Sequence, residues 1–202
     1  AMACEAYHET EVLMHTADMI SCMSLEGLNG NVSPLRDGAQ RQRPYPRQIE
    51  TAAALRSYLE GSYLYEPSEG RPLQDPLSFR CVSQVHGAVR TAMDYARENL
   101  EIHLNASDDN PCLLLDERDI TSCGNFDPLV WVLGMQNLSV ALSHVSKMSC
   151  LRSLKLAMPG FTGLTRHLTP NDDTIAFSTI QKTYASMDAE IRLLANPVSM
   201  DT

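Results

Sequence analysis

This sequence has no basic tract. Its formal net charge is −9, from 16 Lys and Arg against 25 Asp and Glu. A phosphate backbone asks for a positive stripe. Arg36, Arg41, Arg43 and Arg47 are spread along a loop instead, so nucleic acid is excluded as a partner. No run reaches the roughly 18 apolar residues that a membrane span needs, and no charged-then-apolar start reads as a signal peptide. Membrane partners are therefore not expected. The six cysteines form no CxxC pair, which removes a zinc ribbon. Several sit within helical apolar patterns, where a free thiol packs as a small hydrophobe, so the expected compartment is the reducing cytoplasm. The motifs HExxH, GxxxxGK[ST] and GxSxG are missing, and with them zinc-protease, P-loop and nucleophile-elbow chemistry. Aromatics make up only 6%, and there is no internal repeat.

What is present is hydrophobic and unbranched. The chain is 44% apolar, enough for a core, and Leu, Ala and Met keep their rotamer freedom on a helix. A first helix is expected from about Glu5 to Leu28, with Val12, Ala17, Ile20, Met23 and Leu28 as its buried face and Gly27, Asn29 and Gly30 as its stop. A loop leads to a short helix at 46–59, started by Pro46, with Ile49, Ala52, Ala53, Leu55 and Leu59 inward. After a second loop, Phe79, Val82, Val85, Val89, Met93, Ala96 and Leu100 recur at three and four, which predicts a long helix over 78–105. Asx residues and Pro111 end it, and Cys112 to Ile120 reads as a small hairpin. A second long helix is expected over 128–156 with the stripe Val130, Leu133, Asn137, Val140, His144, Met148 and Leu151. A last helix runs to about Ala195, capped by Asp172 or Asp173. The fold class is all-α: one helical core domain, 1–202, a bundle of long antiparallel helices with apolar stripes left over for partner chains.

One stretch concentrates chemistry. Within 74–87, Gln74, Asp75, Arg80, Cys81, Gln84 and His86 place a carboxamide, a carboxylate, a guanidinium, a thiol, a second carboxamide and an imidazole between a loop and a helix. A guanidinium beside a loop carboxamide makes a fork for a small carboxylate. The same spacing also fits Asp75 as a helix cap paired with Arg80, with Gln84 and His86 packed between helices. Asn125 and Phe126 sit in a Gly-containing loop where an aromatic side chain can line a pocket. That loop also reads as a helix entry, with Asp127 as N-cap and Pro128 in the first turn.

Four ordered motifs and a fifth at the end carry a resemblance. Arg43–Ile49 with Gly61-Ser62 looks like "RPHPGQI…GS", and Gln74–Cys81 with Gln84–Gly87 is similar to "QDPYSLRC…QVHG". Asn105–Pro111 matches "N..(S/T)DNP", Gly124-Asn125-Phe126 matches "GGNF", and Ala195–Asp201 resembles "AHPASVDS". The chain thus resembles the histidine, phenylalanine and tyrosine ammonia-lyase and aminomutase family along nearly its whole length.

The resemblance implies a fumarase-like helical bundle, a homotetramer, and sites assembled from several subunits. It implies elimination of ammonia from an aromatic amino acid to an α,β-unsaturated acid, or return of that ammonia to the β carbon. By motif position, Arg80 is the carboxylate-binding arginine, Gln74 the glutamine beside the electrophile, Phe126 the phenylalanine by the cofactor ring, and Asn125 the support of that loop. The family's electrophile is a methylidene-imidazolone (MIO) formed from Ala-Ser-Gly. That tripeptide is missing from 1–202, and the family carries it upstream together with a tyrosine base. The chain by itself is therefore expected to be an inactive central piece of a lyase; a non-catalytic, lyase-like helical assembly or carboxylate-binding module is the alternative. Leu77 stands where the family has tyrosine, Cys123 replaces the first Gly of "GGNF", and Asp127 replaces the histidine after it.

Overall fold

The structure, a computed structural model, describes residues 1–171 and 173–199. Its first helix, α1 (Met2–Leu28), stops where the residues demand. Asn29 takes up the left-handed conformation (φ 55°, ψ 45°), and its N–H and that of Gly30 close on Glu26 and Leu25. After a five-residue helix α2 (Asp37–Arg41), α3 (Pro46–Tyr58) opens with Pro46 in its first turn, where a missing N–H costs nothing. The next helical stretch is broken. A single turn, α4 (Leu77–Arg80), ends at Cys81 (φ −100°, ψ 21°) before α5 (Val82–Leu104) resumes. A hairpin, β1 (Cys112–Leu114) against β2 (Asp119–Thr121), pairs Leu113 with Ile120, as expected from the sequence. Then come α6 (Leu129–Leu156), a turn α7 (Pro159–Thr162) and α8 (Ile180–Leu194).

The two longest neighbours run antiparallel. Gly134 of α6 meets Ala96 of α5, Trp131 lies 5.5 Å from His103 ring to ring, and Arg152 reaches Ser78. Residue numbers that fall on one helix as they rise on the other define that direction. Val82, Val89, Met93, Ala96 and Leu100 are buried as their period predicts. Two apolar clusters fill the bundle. One gathers Leu25, Leu55, Leu59, Leu64, Phe79 and Met148 near the α4 end; the other gathers Met14, Val89, Met93, Ala96, Leu138 and Val145.

Three expected faces are corrected. On α1, Val12, Ile20 and Met23 are exposed, and Met14, Cys22 and Leu25 join Ala17 and Leu28 inside. On α6, Val130, Leu133, Asn137, His144 and Leu151 of the expected stripe point outward, Val140 is half-buried and Met148 is inside, and Gly134, Leu138, Val145 and Arg152 face the core. Ala53 of α3 is exposed. Asp173 does not cap the last helix, which starts later, at Ile180, with Thr179 before it; Asp172 lies outside the described residues.

The outward faces are apolar all the same. A groove of about 510 Å³ between α1, α6 and α8 is lined by Leu13, Ile20, Leu142, Tyr184, Met187 and Ile191. By length and mean hydropathy (1.2), α6 would suffice to cross a membrane. Its outer face carries Asn137, His144 and Lys147, which need partners that lipid lacks. That face suits other helices better.

Candidate functional site

Pro76 separates two kinds of residue. Before it, Gln74 is exposed and Asp75 is enclosed; after it, α4 turns Ser78 and Phe79 inward and leaves Leu77 and part of Arg80 outside. Asp75 neither caps α4 nor pairs with Arg80. Pro76 is the cap residue, without side-chain bonding. The Asp75 carboxylate instead accepts the Asn31 N–H at 2.6 Å through Oδ2, while Oδ1 is buried without a partner. Burial raises its pKa above the ordinary carboxylate value, and that N–H opposes the rise. Asp75 therefore ties the turn to the end of α1. This leaves Arg80 half-buried, its guanidinium without a hydrogen-bond or ion-pair partner among the described residues, although its charge helps to oppose the rise at Asp75. A guanidinium held in place and left unpaired is ready for a carboxylate.

Beneath the turn lies a second guanidinium that the motifs did not flag. Arg152 is 2% exposed and has no carboxylate partner among the described residues. It donates to the Ser78 carbonyl at 3.1 Å and to Ser149 Oγ at 3.0 Å. Burial pulls its pKa down to about 10, and Cys22 nearby is pushed up to about 12, first by burial. Arg152→Met is expected to change global stability by no more than about 2 kcal/mol, because the lost hydrogen bonds are offset by no longer burying an unpaired cation. Amide exchange at 79–81 should nonetheless quicken about tenfold or more. Hydrogen-exchange mass spectrometry checks this; unchanged protection there would show that Arg152 does not hold the turn.

A buried polar network runs from α1 to α3 through α5. Asp18 and His86 are both fully enclosed, with Oδ1 to Nδ1 at 2.7 Å. Arg90 donates to Asp18 Oδ2 at 2.6 Å and to Thr51 Oγ1 at 3.2 Å. Burial lowers the His86 pKa, although Asp18 works against that. With a neutral ring, Nδ1–H donates to Asp18, and Nε2 is buried without a partner. On the same side, Gln48 donates to Gln40, and Gln40 to Ser83. Gln84 accepts from Ser83 rather than turning towards a ligand. Of the chemistry-bearing residues in 74–87, Gln74 and Arg80 are the ones left open to solvent without partners; Cys81, half-buried, packs against the core.

Asn125 and Phe126 are elsewhere. They precede α6, next to the end of α5, and Phe126 is 62% exposed. Asp127 accepts the Leu129 N–H at 2.9 Å, so it supports the helix entry one residue before Pro128, which holds the cap position. Between Arg80 and this loop lies α5, whose 23 residues make a rod of roughly 35 Å. One copy of the chain therefore cannot bring Arg80 and Phe126 to the same small molecule. No cluster of three or more metal-ligating side chains is found among the described residues.

Long helices packed antiparallel, a free guanidinium after a Gln-Asp-Pro turn and an exposed Asn-Phe loop at the far end define an ammonia-lyase-type bundle. Residues 1–202 match the family described as aromatic amino acid lyase, and the chain belongs to that family. It is 38% identical over 196 residues to a histidine ammonia-lyase of Anaeromyxobacter dehalogenans, covering 95% of this chain and 39% of that one. The chain thus spans about two fifths of the curated relatives it matches. Among solved structures, an ergothioneine-degrading ergothionase from Treponema denticola superposes with TM-score 0.96 at 48% identity, over 100% of this chain and 41% of that one. A histidine ammonia-lyase from Trypanosoma cruzi gives 0.88 at 26% identity, over 99% and 37%.

Proposed function

We propose that this chain is the central helical part of a carbon–nitrogen lyase acting on an aromatic or imidazole-bearing amino acid, in the cytoplasm, with each active site built from more than one copy. The observation that carries the reading is the unpaired Arg80 at one end of α5 with Phe126 exposed at the other. Arg80 binds the substrate carboxylate as a two-pronged pair. Gln74, beside it across Pro76, orients the substrate's reacting end. Phe126, from another copy, packs on the flat ring, and Asn125 holds its loop. The outward apolar faces of α1, α6 and α8 supply the contacts for a homo-oligomer, a tetramer by the family's pattern.

In the elimination a general base takes the β proton, that bond's electrons form the Cα=Cβ double bond, and the Cα–N bond breaks with its pair leaving on the amine. The family carries the base as a tyrosine ahead of this stretch. Its MIO group supplies an electrophile. Residues 1–202 contain no Ala-Ser-Gly, so they do not fit as its source, and no step here runs through it. A second reading concerns the nitrogen. The 48% identity to an ergothionase exceeds the 38% to the Anaeromyxobacter histidine lyase. Ergothioneine is a trimethylammonium betaine of a thiolated histidine, which favours a betaine substrate here.

Subunit mixing tests the composite site in the complete gene product. Arg80→Met should lower kcat/KM by about a hundredfold or more, since a lost buried charge pair costs about 2–5 kcal/mol, and Phe126→Ala should be nearly as damaging. Mixed assemblies of the two variants should recover about a quarter of the sites, those drawing an intact Arg80 and an intact Phe126 from different copies. No recovery on mixing, with assembly intact, would sink the composite reading.

A further inference from the structure

The turn that presents Arg80 also presents Leu77, and packing does not account for its position. Leu77 is 63% exposed, while its neighbour Phe79 is 4% exposed. The turn sorts its side chains, and this leucine is sorted outward beside the carboxylate anchor. Leu77 and Arg80 are three apart on α4, so their β carbons are neighbours on one face, about 5–6 Å apart. Helical Cα–Cβ bonds tilt towards the N-terminus, which leans Arg80 back over Leu77. A carboxylate held by Arg80 therefore brings its α carbon, and the nitrogen on that carbon, against the leucine.

What that nitrogen carries then matters. An ammonium brings three N–H donors, and removing them from water without acceptors is costly. Leu77 offers none. Asp75, the carboxylate of this turn, is enclosed: its Oδ2 is taken by Asn31, and its Oδ1, though without a partner, is buried away from the open face that Leu77 and Arg80 share. Gln74 offers one amide oxygen, which does not replace three waters. A trimethylammonium group has no N–H to satisfy. Its surface is methyl, its charge is spread and weakly hydrated, and an aliphatic side chain packs on it without leaving a donor unpaired. We propose that Leu77 is the specificity residue that selects a substrate with a quaternary α-nitrogen, a betaine rather than a free amino acid. This rests on the lyase reading and its betaine form, and it names the side chain that makes the choice.

The experiment compares histidine with its Nα-trimethyl betaine, and ergothioneine alongside, in the complete gene product and in Leu77→Met, Leu77→Tyr and Leu77→Thr variants. Wild type should favour the betaines in kcat/KM by about a hundredfold, and Leu77→Met should keep that preference. Leu77→Thr, which adds a hydroxyl acceptor without an aromatic face, should narrow the ratio by about tenfold or more, losing betaine and gaining amino acid. Leu77→Tyr adds the same acceptor together with a ring face that also holds a trimethylammonium, so it should gain amino acid while keeping betaine, and it carries the test if the threonine variant has a lowered melting temperature. Equal losses on both substrates in a folded variant would overturn the role given to Leu77. A wild type that prefers histidine would overturn the betaine selection and leave the lyase standing. A wild type that turns over none of the three would remove the lyase reading itself.

Discussion

Asp18→Ala is expected to cost the fold about 3–5 kcal/mol, the range for removing one partner of an enclosed charge pair. The carboxylate answers two groups at once, His86 Nδ1 and Arg90 Nη2, from a position with no exposure. Without it, Arg90 keeps its charge against Thr51 alone, and His86, already lacking a partner at Nε2, loses the one at Nδ1. Three helices meet there, so no local collapse replaces the lost oxygens. The urea midpoint at neutral pH checks the loss; a shift worth less than about 1 kcal/mol would show that the network is dispensable.

The same network sets an acid limit. His86 has a folded pKa below its ordinary 6.5, chiefly through burial. Below 6.5 the unfolded chain then binds the proton more readily than the folded one, so stability falls as the pH drops through that value. Asp18 opposes the depression. In Asp18→Ala the folded pKa drops further, and acid sensitivity between pH 6.5 and 5 should steepen.

Gly87→Ala should destabilise by about 3 kcal/mol or more, although alanine is the better helix former by about 1 kcal/mol. A β carbon at Gly87 would lie 2.6 Å from Gln48 Cα and 2.8 Å from Gln48 N. Backbone cannot swing aside as a side chain can, so α3 would have to lift off α5, disturbing the Gln48–Gln40–Ser83 chain. Gly27→Ala is the matched control. It sits in α1 with nothing within 4 Å and should gain up to about 1 kcal/mol. Paired thermal melts decide; a Gly87→Ala protein as stable as wild type would mean the helices are free to separate there.

How far the sequence foretells this molecule depends on how one-sided each helix is. On α5, Val82, Val89, Met93 and Leu100 alternate with Glu98, Arg97 and Glu101, so the period reads one way and the buried face agrees. On α6, Leu133 and Val140 have equally apolar counterparts in Leu138 and Val145. A helix that is apolar nearly all round does not reveal its inner side. The outward stripe is still informative, as surface that wants a partner. Gln74 and Arg80 were legible from their motif, and the structure leaves both open. The placement of Phe126 far from Arg80 was not, because motif order along a chain says nothing about which end of a rod each motif occupies. Asp18 was invisible for another reason: its partner is 68 residues away, and only the presence of His86 on the buried face of α5 hinted that an acceptor must exist. Arg152 stands between Leu151 and Ser153, and nothing in the pattern around it signals burial.

The length of α5 acts as a ruler. Arg80 and the Asn125–Phe126 loop sit at its two ends, so under the proposed composite site the spacing between carboxylate grip and ring is counted in helical turns of this one element. Side chains on its outer surface can drift with little consequence. Residue number cannot: one residue added or removed rotates one end by 100° and shifts it by about 1.5 Å relative to the other. On that proposal it would misalign every shared site at once. The number of residues in α5 then matters as much as their identities.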